Sequence, residues 1–319
     1  MAETGKDLIK AKSLLEEGQL VAIPTETVYG LAGNALNESA ILEIFRVKNR
    51  PKFDPLIAHT DSLDKVKNLV TQIPDELLEL GKTFWPGPLT LLLEKKAHVP
   101  DLLTSGLPYV AVRIPNHPLT SELLSSLEFP LASPSANPFG YISPTTAGHV
   151  QDQLGDLIPY ILDGGACTIG LESTILGFDQ NHKPVIHRLG GMRIEQIESV
   201  IGPVKLNINV SSNPSAPGML KSHYAPRTPL VRGNVEELIE KNINKNFGVI
   251  SFSKRYAGLG IDRQIILSER GDMDEAANRL FGALRQMDNL GLDIIFAEIF
   301  PELGLGAAIN DRLKRAASN

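Results

Sequence analysis

The sequence is poor in the residues that cross-link small proteins. It has a single cysteine, Cys167, among 319 residues, so an intrachain disulfide framework and a cysteine-based zinc site are both excluded. A chain of this length buries a core large enough to be stable without such cross-links. The near absence of cysteine is typical of a protein kept in a reducing compartment, and we expect it in the cytoplasm.

Long apolar runs are also missing. No segment approaches the ~20 consecutive apolar residues that span a bilayer, so we expect no contact with a membrane. The first residues, from Met1 to Asp7, show no basic stretch followed by an apolar one. We therefore expect no signal peptide either.

Neither an excess of positive charge nor a common catalytic motif is present. The net charge is -6, which argues against a protein that binds nucleic acid mainly through phosphates, although a local basic groove is compatible with this total. No G-x-x-x-x-G-K-[ST] loop occurs, and the nearest approach to G-x-G-x-x-G, at Gly304 and Gly306, has Ile309 in the third position. The motifs G-x-S-x-G, HExxH and CxxC are absent as well, which weakens hydrolase and metalloprotease interpretations.

The first two thirds of the chain predict a mixed sheet. Apolar runs indicate strands near 20–23, 56–59, 89–93, 110–114, 159–162, 173–178 and 184–189. Helical patterns occur near 7–17, 37–48, 74–81 and 193–201. Asn37 is a good N-cap, and we expect Pro51 to end the helix that Asn37 begins. Because strands and helices do not strictly alternate, we predict a twisted mixed α/β sheet.

The last third predicts a second, smaller domain. Three prolines and a glycine between Pro214 and Pro226 leave little room for a helix and read as an interdomain linker. Strands and helices then alternate regularly, which favours a Rossmann-like α/β domain with an open, largely parallel sheet. The predicted divisions are a catalytic domain at 1–205, a linker at 206–228 and a C-terminal domain at 229–319.

Two polar clusters near the start are candidates for an anion pocket. Thr25, Glu26, Thr27 and Tyr29 follow a buried strand; their side chains bind either a ligand or the local backbone of the turn. Lys48 and Arg50 follow near the end of a helix. Such cations either complement the helix dipole or bind phosphate. Asp54 and His59 come next, and a lone histidine is more often structural.

Three further segments carry polar groups next to predicted strands. Arg113 follows Ala111 on one face of the strand 110–114, where it needs solvent or an anionic partner. The run Ser133-Pro134-Ser135-Ala136-Asn137 forms either a stiff loop that presents donors to a ligand or an ordinary proline-rich turn. Glu172-Ser173-Thr174 opens another strand and is too short to be specific.

Taken together in this order, these motifs resemble the YrdC-like family. The resemblance rests on Pro24 to Leu31, Lys48-Asn49-Arg50-Pro51, Trp85-Pro86-Gly87-Pro88, Val112-Arg113-Ile114-Pro115, Ser133 to Asn137 and Glu172-Ser173-Thr174-Ile175. The run Pro217-Gly218-Met219 with His223-Tyr224-Ala225-Pro226 resembles the longer, two-domain branch. The resemblance implies a nucleotidyltransferase that joins L-threonine, bicarbonate or CO2, and ATP into threonylcarbamoyl-adenylate, releasing pyrophosphate. The product would serve the t6A modification of ANN-decoding tRNAs.

The resemblance also implies roles for individual residues. Those expected to hold threonine are Thr27, His59, Arg113, Ser133 and Ser173. Those expected at the nucleotide are Lys48, Arg50, Asp54, Tyr109, Ser135, Asn137, Ser143, Arg188 and Tyr224. A polar tetrad is expected to be catalytic and consists of Lys48, Arg50, Ser135 and Asn137. Mg²⁺ is expected with ATP, but no dedicated ligand set is visible.

Partners and alternatives complete the sequence-based interpretation. The resemblance implies downstream tRNA threonylcarbamoyltransferase machinery, with weak or indirect tRNA contact. The linker, with its stiff prolines and a glycine hinge, is expected to close over the active site as a lid. One alternative is an RNA-binding module that acts on tRNA directly, which the net charge disfavours. Another is a carbamoyl-transfer domain like that of hydrogenase-maturation proteins, whose zinc fingers a chain with one cysteine cannot form.

Overall fold

The computed structural model describes residues 1–207 and 223–318. Its strands are β1 Glu3–Gly5, β2 Val21–Ile23, β3 Gly30–Asn34, β4 Ile57–His59, β5 Leu89–Glu94, β6 Tyr109–Arg113, β7 Leu131–Ala132, β8 Tyr160–Leu162, β9 Thr174–Phe178, β10 Pro184–Arg188, β11 Lys205–Leu206, β12 Leu230–Gly233, β13 Phe247–Ser251, β14 Gln264–Ile266 and β15 Ile294–Glu298. Its helices are α1 Leu8–Glu16, α2 Glu38–Lys48, α3 Leu63–Leu69, α4 Asp75–Phe84, α5 Asp101–Thr104, α6 Pro118–Ser126, α7 Ala147–Leu154, α8 Ile194–Ile201, α9 Val235–Lys241, α10 Met273–Asp288 and α11 Gly306–Ala316.

The first eleven strands form one large mixed sheet. Their order is β1-β8-β2-β3-β7-β4-β6-β5-β9-β10-β11. The sheet contains both parallel pairs, such as β4–β6, and antiparallel pairs, such as β2–β3 and β5–β6. The predicted mixed sheet is confirmed, and helices such as α1, α2 and α4 pack against its strands.

The second sheet has four strands in the order β12-β15-β13-β14. All three of its pairings are parallel, as the alternating pattern of the last third predicts. Helices α10 and α11 contact this sheet and each other. The predicted smaller α/β domain is therefore confirmed.

Some elements differ from the sequence-based expectation. The helix begun by Asn37 ends at Lys48, as the pattern near 37–48 predicts, but the residue that ends it is Asn49, which adopts a left-handed conformation with φ 51°, rather than Pro51. Helix α4 continues to Phe84, three residues beyond the predicted end near Gly81. Strand β3 was not predicted, since its glycines and asparagine have low strand propensity. It forms because β2 and β7 supply antiparallel partners on both sides.

Strand β6 separates two apolar environments. Val110 and Val112 belong to the main core, whereas Ala111 packs with Ile57 and Ile175 in a small cluster on the other face. The alternation places Arg113 on the second face, as predicted. The main core also contains apolar residues of the second domain, so it is continuous from one sheet to the other. Among the described helices, none is long and apolar enough to cross a membrane.

Candidate active site

A polar cavity opens on the second face of the large sheet. Its walls come from the turn after β2, the ends of β4, β6 and β10, the loop after β7 and the start of β9. His223 and Tyr224, from the end of the predicted linker, complete them. Predicted site residues that line it are Thr27, Arg50, His59, Arg113, Ser133, Ser135, Ser173, Arg188 and Tyr224. The topology therefore gathers motifs that are more than 150 positions apart along the chain.

Arg113 is the centre of one side of the cavity. It lies at the end of β6, beside His59 at the end of β4, with which it is paired in register. Its Nη1 donates to Thr27 Oγ1 at 2.9 Å and its Nε donates to the Gly87 carbonyl at 3.1 Å. Its Nη2 lies 2.8 Å from Glu26 Oε2, an ion pair without the alignment of a hydrogen bond. The guanidinium is thus buried, oriented and charge-balanced.

His59 is an uncharged neighbour of this arginine. Burial lowers the pKa of His59 to about 3, and the positive charge of Arg113 adds to this effect. Its Nδ1 lies 3.3 Å from the Ile57 carbonyl, which accepts from the neutral ring. The imidazole is therefore neutral at physiological pH and adds no second positive charge to this side of the cavity.

Small hydroxyls face the same region. Ser133 is buried, and within the described residues its Oγ has no hydrogen-bond partner, which leaves it available to a ligand. Gly30 provides the space for it, because a Cβ at Gly30 would lie 2.0 Å from Ser133 Oγ. Ser173 Oγ is 2.7 Å from Thr90 Oγ1 and accepts from Arg188 Nη2 at 3.0 Å.

The other side of the cavity carries Arg50. Its Nε donates to the Asp54 carbonyl at 3.1 Å, and its Nη2 donates to the Pro55 carbonyl at 2.9 Å. The same Nη2 lies 2.8 Å from Asp54 Oδ2. The left-handed Asn49 turns the chain sharply after α2, which places Arg50 at the cavity wall while Lys48 stays inside.

Lys48 supports the loop that follows β7 and does not line the cavity. Its side chain is 1% exposed, and its Nζ donates to the carbonyls of Ser135 and Asn137 at 2.5 Å each. Burial lowers the pKa of Lys48, and repulsion from Arg50 lowers it further. The structure thus places this member of the tetrad behind Ser135, where it fixes the loop.

Asn137 and Ser143 also lie outside the cavity lining. Asn137 Nδ2 donates to the Pro138 and Tyr141 carbonyls at 2.9 Å, which braces the loop from within. Ser143 Oγ donates to Glu172 Oε1 at 2.6 Å. Ser143 therefore acts on the cavity wall through Glu172, which lines the cavity, whereas Asn137 stabilises the loop after β7.

Tyr224 and His223 close the cavity from the linker side. Tyr224 is 1% exposed, has φ 64° and stacks on Phe281 of the second domain with ring centroids 5.5 Å apart. His223 lies against Tyr224 with centroids 4.1 Å apart, and burial lowers its pKa well below its usual range. Most of the predicted linker, residues 208–222, lies outside the described residues, and the prediction that it closes as a lid falls on that part.

Tyr109 is a predicted site residue that lies away from the cavity. It begins β6, whereas Arg113 ends it, and a strand of that length spans roughly 13 Å. Its side chain is 53% exposed and faces a different surface groove with Phe178 and His187. The structure does not bring Tyr109 to the cavity.

Two functional candidates were missed by the sequence reasoning. Glu172 lines the cavity, but the short motif Glu172-Ser173-Thr174 is not specific enough to indicate a role for it. Arg312, on α11, donates to Glu172 Oε2 from Nε at 3.1 Å and from Nη2 at 3.0 Å. No local sequence pattern indicates that Arg312 pairs with Glu172, because 140 positions separate the two residues.

The carboxylates around the cavity are already engaged by arginines. Glu26 pairs with Arg113, Asp54 with Arg50, and Glu172 with Arg312. Over the described ranges, no group of three or more His, Cys, Asp or Glu side chains is arranged to hold a metal ion. A divalent cation would therefore take most of its ligands from a bound substrate.

Buried cations and small hydroxyls around one polar cavity define a protein that binds a small, charged substrate. A family model for Sua5, YciO and YrdC, described as "Telomere recombination", matches residues 13–190. A second model, described as "Threonylcarbamoyl-AMP synthase, C-terminal domain", matches residues 192–318. The chain therefore belongs to the YrdC-like family and has both domains of its longer branch.

Relatives of nearly full length support this assignment. Threonylcarbamoyl-AMP synthase of Pyrococcus abyssi is 42% identical over 96% of this chain and 93% of its own. The enzyme of the same name from Bacillus subtilis is 40% identical over 97% and 92%. A crystal structure of P. abyssi Sua5 complexed with L-threonine superposes with a TM-score of 0.91 at 40% identity, covering 99% of this chain and 97% of that one. The family suggested by the sequence motifs is thus confirmed.

Proposed function

We propose that the protein is a threonylcarbamoyl-AMP synthase, which makes L-threonylcarbamoyladenylate from L-threonine, bicarbonate or CO2, and ATP. Pyrophosphate is the second product, and the adenylate supplies t6A modification of ANN-decoding tRNAs. Relatives that carry this name match almost the whole chain. The observation that carries the proposal is the single cavity that joins an oriented Arg113 on one side to a buried Arg50 on the other.

The side around Arg113 suits the amino acid. Two parallel N–H groups of a guanidinium bind a carboxylate in a bidentate manner, so Arg113 pairs with the threonine carboxylate. The free hydroxyl of Ser133 and the hydroxyls of Thr27 and Ser173 lie along the same wall and bind the polar groups of threonine. Neutral His59 completes this subsite without repelling the amine.

The side around Arg50 suits the nucleotide. Arg50 and Arg188 provide positive charge for the phosphates, and Ser135 presents a hydroxyl on the loop braced by Lys48 and Asn137. Tyr224 offers an aromatic face at the domain boundary. Asp54 and Ser143 act indirectly, because they hold Arg50 and Glu172 respectively.

The reaction then requires positioning and charge stabilisation rather than a covalent intermediate with the enzyme. The threonine amine attacks the carbon of CO2 and loses a proton, which gives a carbamate. A carbamate oxygen attacks the α-phosphorus of ATP, and pyrophosphate leaves with the electrons of the broken P–O bond. Fixed cations stabilise the charge that develops on the phosphates.

Mg²⁺ is proposed as the companion of ATP. Since arginines occupy the nearby carboxylates, the phosphate oxygens and water are its expected ligands. The role of this chain is to hold the phosphates in place with Arg50 and Arg188. We also propose that residues 1–205 form the catalytic domain and that 206–228 link it to the domain at 229–319.

The proposed setting is the cytoplasm, where the product passes to the tRNA threonylcarbamoyltransferase machinery. Direct action on tRNA is the weaker proposal. The cations of the cavity are buried, with Lys48 1%, Arg50 8% and Arg113 3% exposed, and are therefore unavailable to the backbone of a large RNA. Any tRNA contact is expected to be weak or indirect.

The decisive experiment is a synthesis assay. The protein is incubated with threonine, ¹⁴C-bicarbonate, Mg²⁺ and ATP, and both pyrophosphate and the labelled adenylate are measured. We expect threonine-dependent formation of both products. Arg113→Ala should abolish the threonine dependence, whereas Arg46→Ala, which removes an exposed arginine of α2, should leave it intact. Pyrophosphate release that does not depend on threonine, or no release, would refute the proposed function.

A further inference from the structure

A buried arginine of the second domain reaches the wall of the cavity. Arg312 is 0% exposed, although it belongs to α11 and the cavity belongs to the large sheet. Its Nε and Nη2 both donate to one oxygen, Glu172 Oε2, at 3.1 and 3.0 Å. Its guanidinium also lies over the ring of Tyr224, 5.2 Å from the centroid.

The acceptor of these bonds lies directly beside the substrates proposed above. Glu172 lines the cavity, and its other oxygen accepts from Ser143 at 2.6 Å. The next residue, Ser173, receives three hydrogen bonds from Arg188, two at its carbonyl and one at its hydroxyl. A shift of the Glu172 carboxylate would therefore disturb Ser173 at the start of β9 and, through its hydrogen bonds, Arg188 at the end of β10.

Charge gives Arg312 a second effect. A buried carboxylate at the wall of a triphosphate site repels the phosphates, and the repulsion is strong where water is excluded. Arg312 neutralises Glu172 at hydrogen-bond distance, and its other neighbour, Asp311, bonds both Arg312 and Arg315. The pair at Glu172 is thus held by two charge-assisted bonds in a dry environment.

We propose that Arg312 is a positioning residue for catalysis, and that the second domain is needed because it supplies this residue to the cavity wall. Arg312 acts through Glu172, which it fixes and neutralises, and through Tyr224, whose ring it covers. This inference rests on the proposed function, since it assigns a role in the same reaction.

The test compares the full-length chain with three variants in the synthesis assay. Arg312→Met removes the charge and leaves Glu172 unpaired. We expect kcat/KM for ATP to fall by about 10- to 100-fold, because a small displacement at a reacting centre has effects of that size. In the double variant Arg312→Met/Glu172→Gln the repelling carboxylate is also gone, and most of the lost affinity for ATP should return.

The matched control is Arg193→Met. Arg193 also pairs with a carboxylate across the domain boundary, at Asp274, but both side chains are about half exposed, at 48% and 55%. We expect its kcat/KM to equal that of the wild type. The melting temperature of each variant is recorded, so that kinetics are compared only for folded protein. If Arg312→Met is unfolded at the assay temperature, Arg312→Lys replaces it, since a single amine cannot make both bonds.

The outcomes separate this inference from the proposed function. Threonine-dependent synthesis by the wild type together with unchanged kcat/KM in the folded Arg312 variant would overturn the inference alone. A double variant no better than the single one would also overturn it, because the loss would then be unrelated to Glu172. Absence of synthesis by the wild type would overturn the proposed function.

Discussion

Three buried arginines in and beside the cavity pair with buried carboxylates. Arg113 faces Glu26, Arg50 faces Asp54, and Arg312 faces Glu172. Isolated charges in a dry site are costly, whereas paired ones keep fixed positions. The substrate therefore enters a site whose cations are already aligned and need little rearrangement.

Histidine protonation predicts how stability responds to acid. Burial lowers the pKa of His59 to about 3 and that of His149 to about 4. Between these values and the ordinary value near 6.5, the unfolded chain binds protons that the folded chain does not. The free energy of unfolding therefore falls as pH drops below about 6.5, by about 1.4 kcal/mol per pH unit for the fully buried His59 and by less for the partly exposed His149.

Chemical denaturation between pH 7 and pH 4.5 measures this dependence. The difference between the wild type and His59→Gln cancels the contribution of the carboxylates, which both proteins share. We expect the variant to lose less stability per pH unit than the wild type. Equal slopes of the unfolding free energy against pH in the two proteins would show that folding does not lower the pKa of His59.

At this scale, the sequence was informative where polar residues cluster along the chain. Thr27, Arg113 and Ser133 stand beside apolar strands, and the motif resemblance supplied their roles. Arg312 could not be found in this way, since it stands in an ordinary helix and acquires its partner only through the packing of two domains. Tyr109 was assigned to the nucleotide by the motif resemblance alone, and the structure places it at the start of β6, at the opposite end of the strand from Arg113.

Short elements set the geometry of the site. Strand β3 brings Gly30 against the loop after β7, and Gly30 makes an isolated antiparallel bridge with Ser135. Its missing side chain is what allows Ser133 to occupy the wall of the cavity. The amino-acid subsite therefore depends on a strand whose composition gives little sign of being one.

Gly30→Ala tests this dependence. A Cβ at this position would lie 2.0 Å from Ser133 Oγ, so the hydroxyl or the strand must move. We expect the affinity for threonine, measured by calorimetry, to fall by about tenfold or more. Gly282→Ala on α10 is the control, because no atom lies within 4 Å of its added Cβ, and it should raise the free energy of unfolding by about 0.5–1 kcal/mol. Threonine affinity unchanged in Gly30→Ala would contradict this account of the subsite.

Helices and strands with a clear capping residue or apolar pattern were predictable from the sequence, and those without one were not. Helix α2 begins after Asn37, the residue expected to cap it, and the apolar strands β5 and β6 were found. Helices α6 and α7 were not predicted, since each has eight or nine residues and little apolar periodicity. The exact end of α2 depended on the conformation of Asn49 rather than on Pro51, because asparagine tolerates the left-handed region.

At the scale of the whole molecule, the largest apolar cluster of the described residues extends across both domains. Apolar residues of both sheets, such as Leu31 and Ile250, belong to the same cluster, and Phe281 of the second domain stacks on Tyr224. The sequence correctly suggested two units of structure. It could not show their tight packing, which depends on contacts between distant parts of the chain.

This shared core predicts cooperative unfolding. We expect one transition in differential scanning calorimetry, with the calorimetric enthalpy equal to the van't Hoff enthalpy, because neither domain keeps its apolar face covered alone. Ligand binding to the cavity should shift the whole transition upward. Two separate transitions, of which only one responds to ATP, would contradict this view.

The pair formed by Arg312 and Glu172 constrains how the two domains evolve and how they can be exchanged by engineering. Each partner, left alone, would be a buried charge, so a change on one side is harmful until the other side changes as well. A second domain taken from another family member would be accepted only if it brings a matching arginine. The two halves of the gene are therefore expected to diverge together, and grafting experiments should choose donor domains by this single compatibility condition.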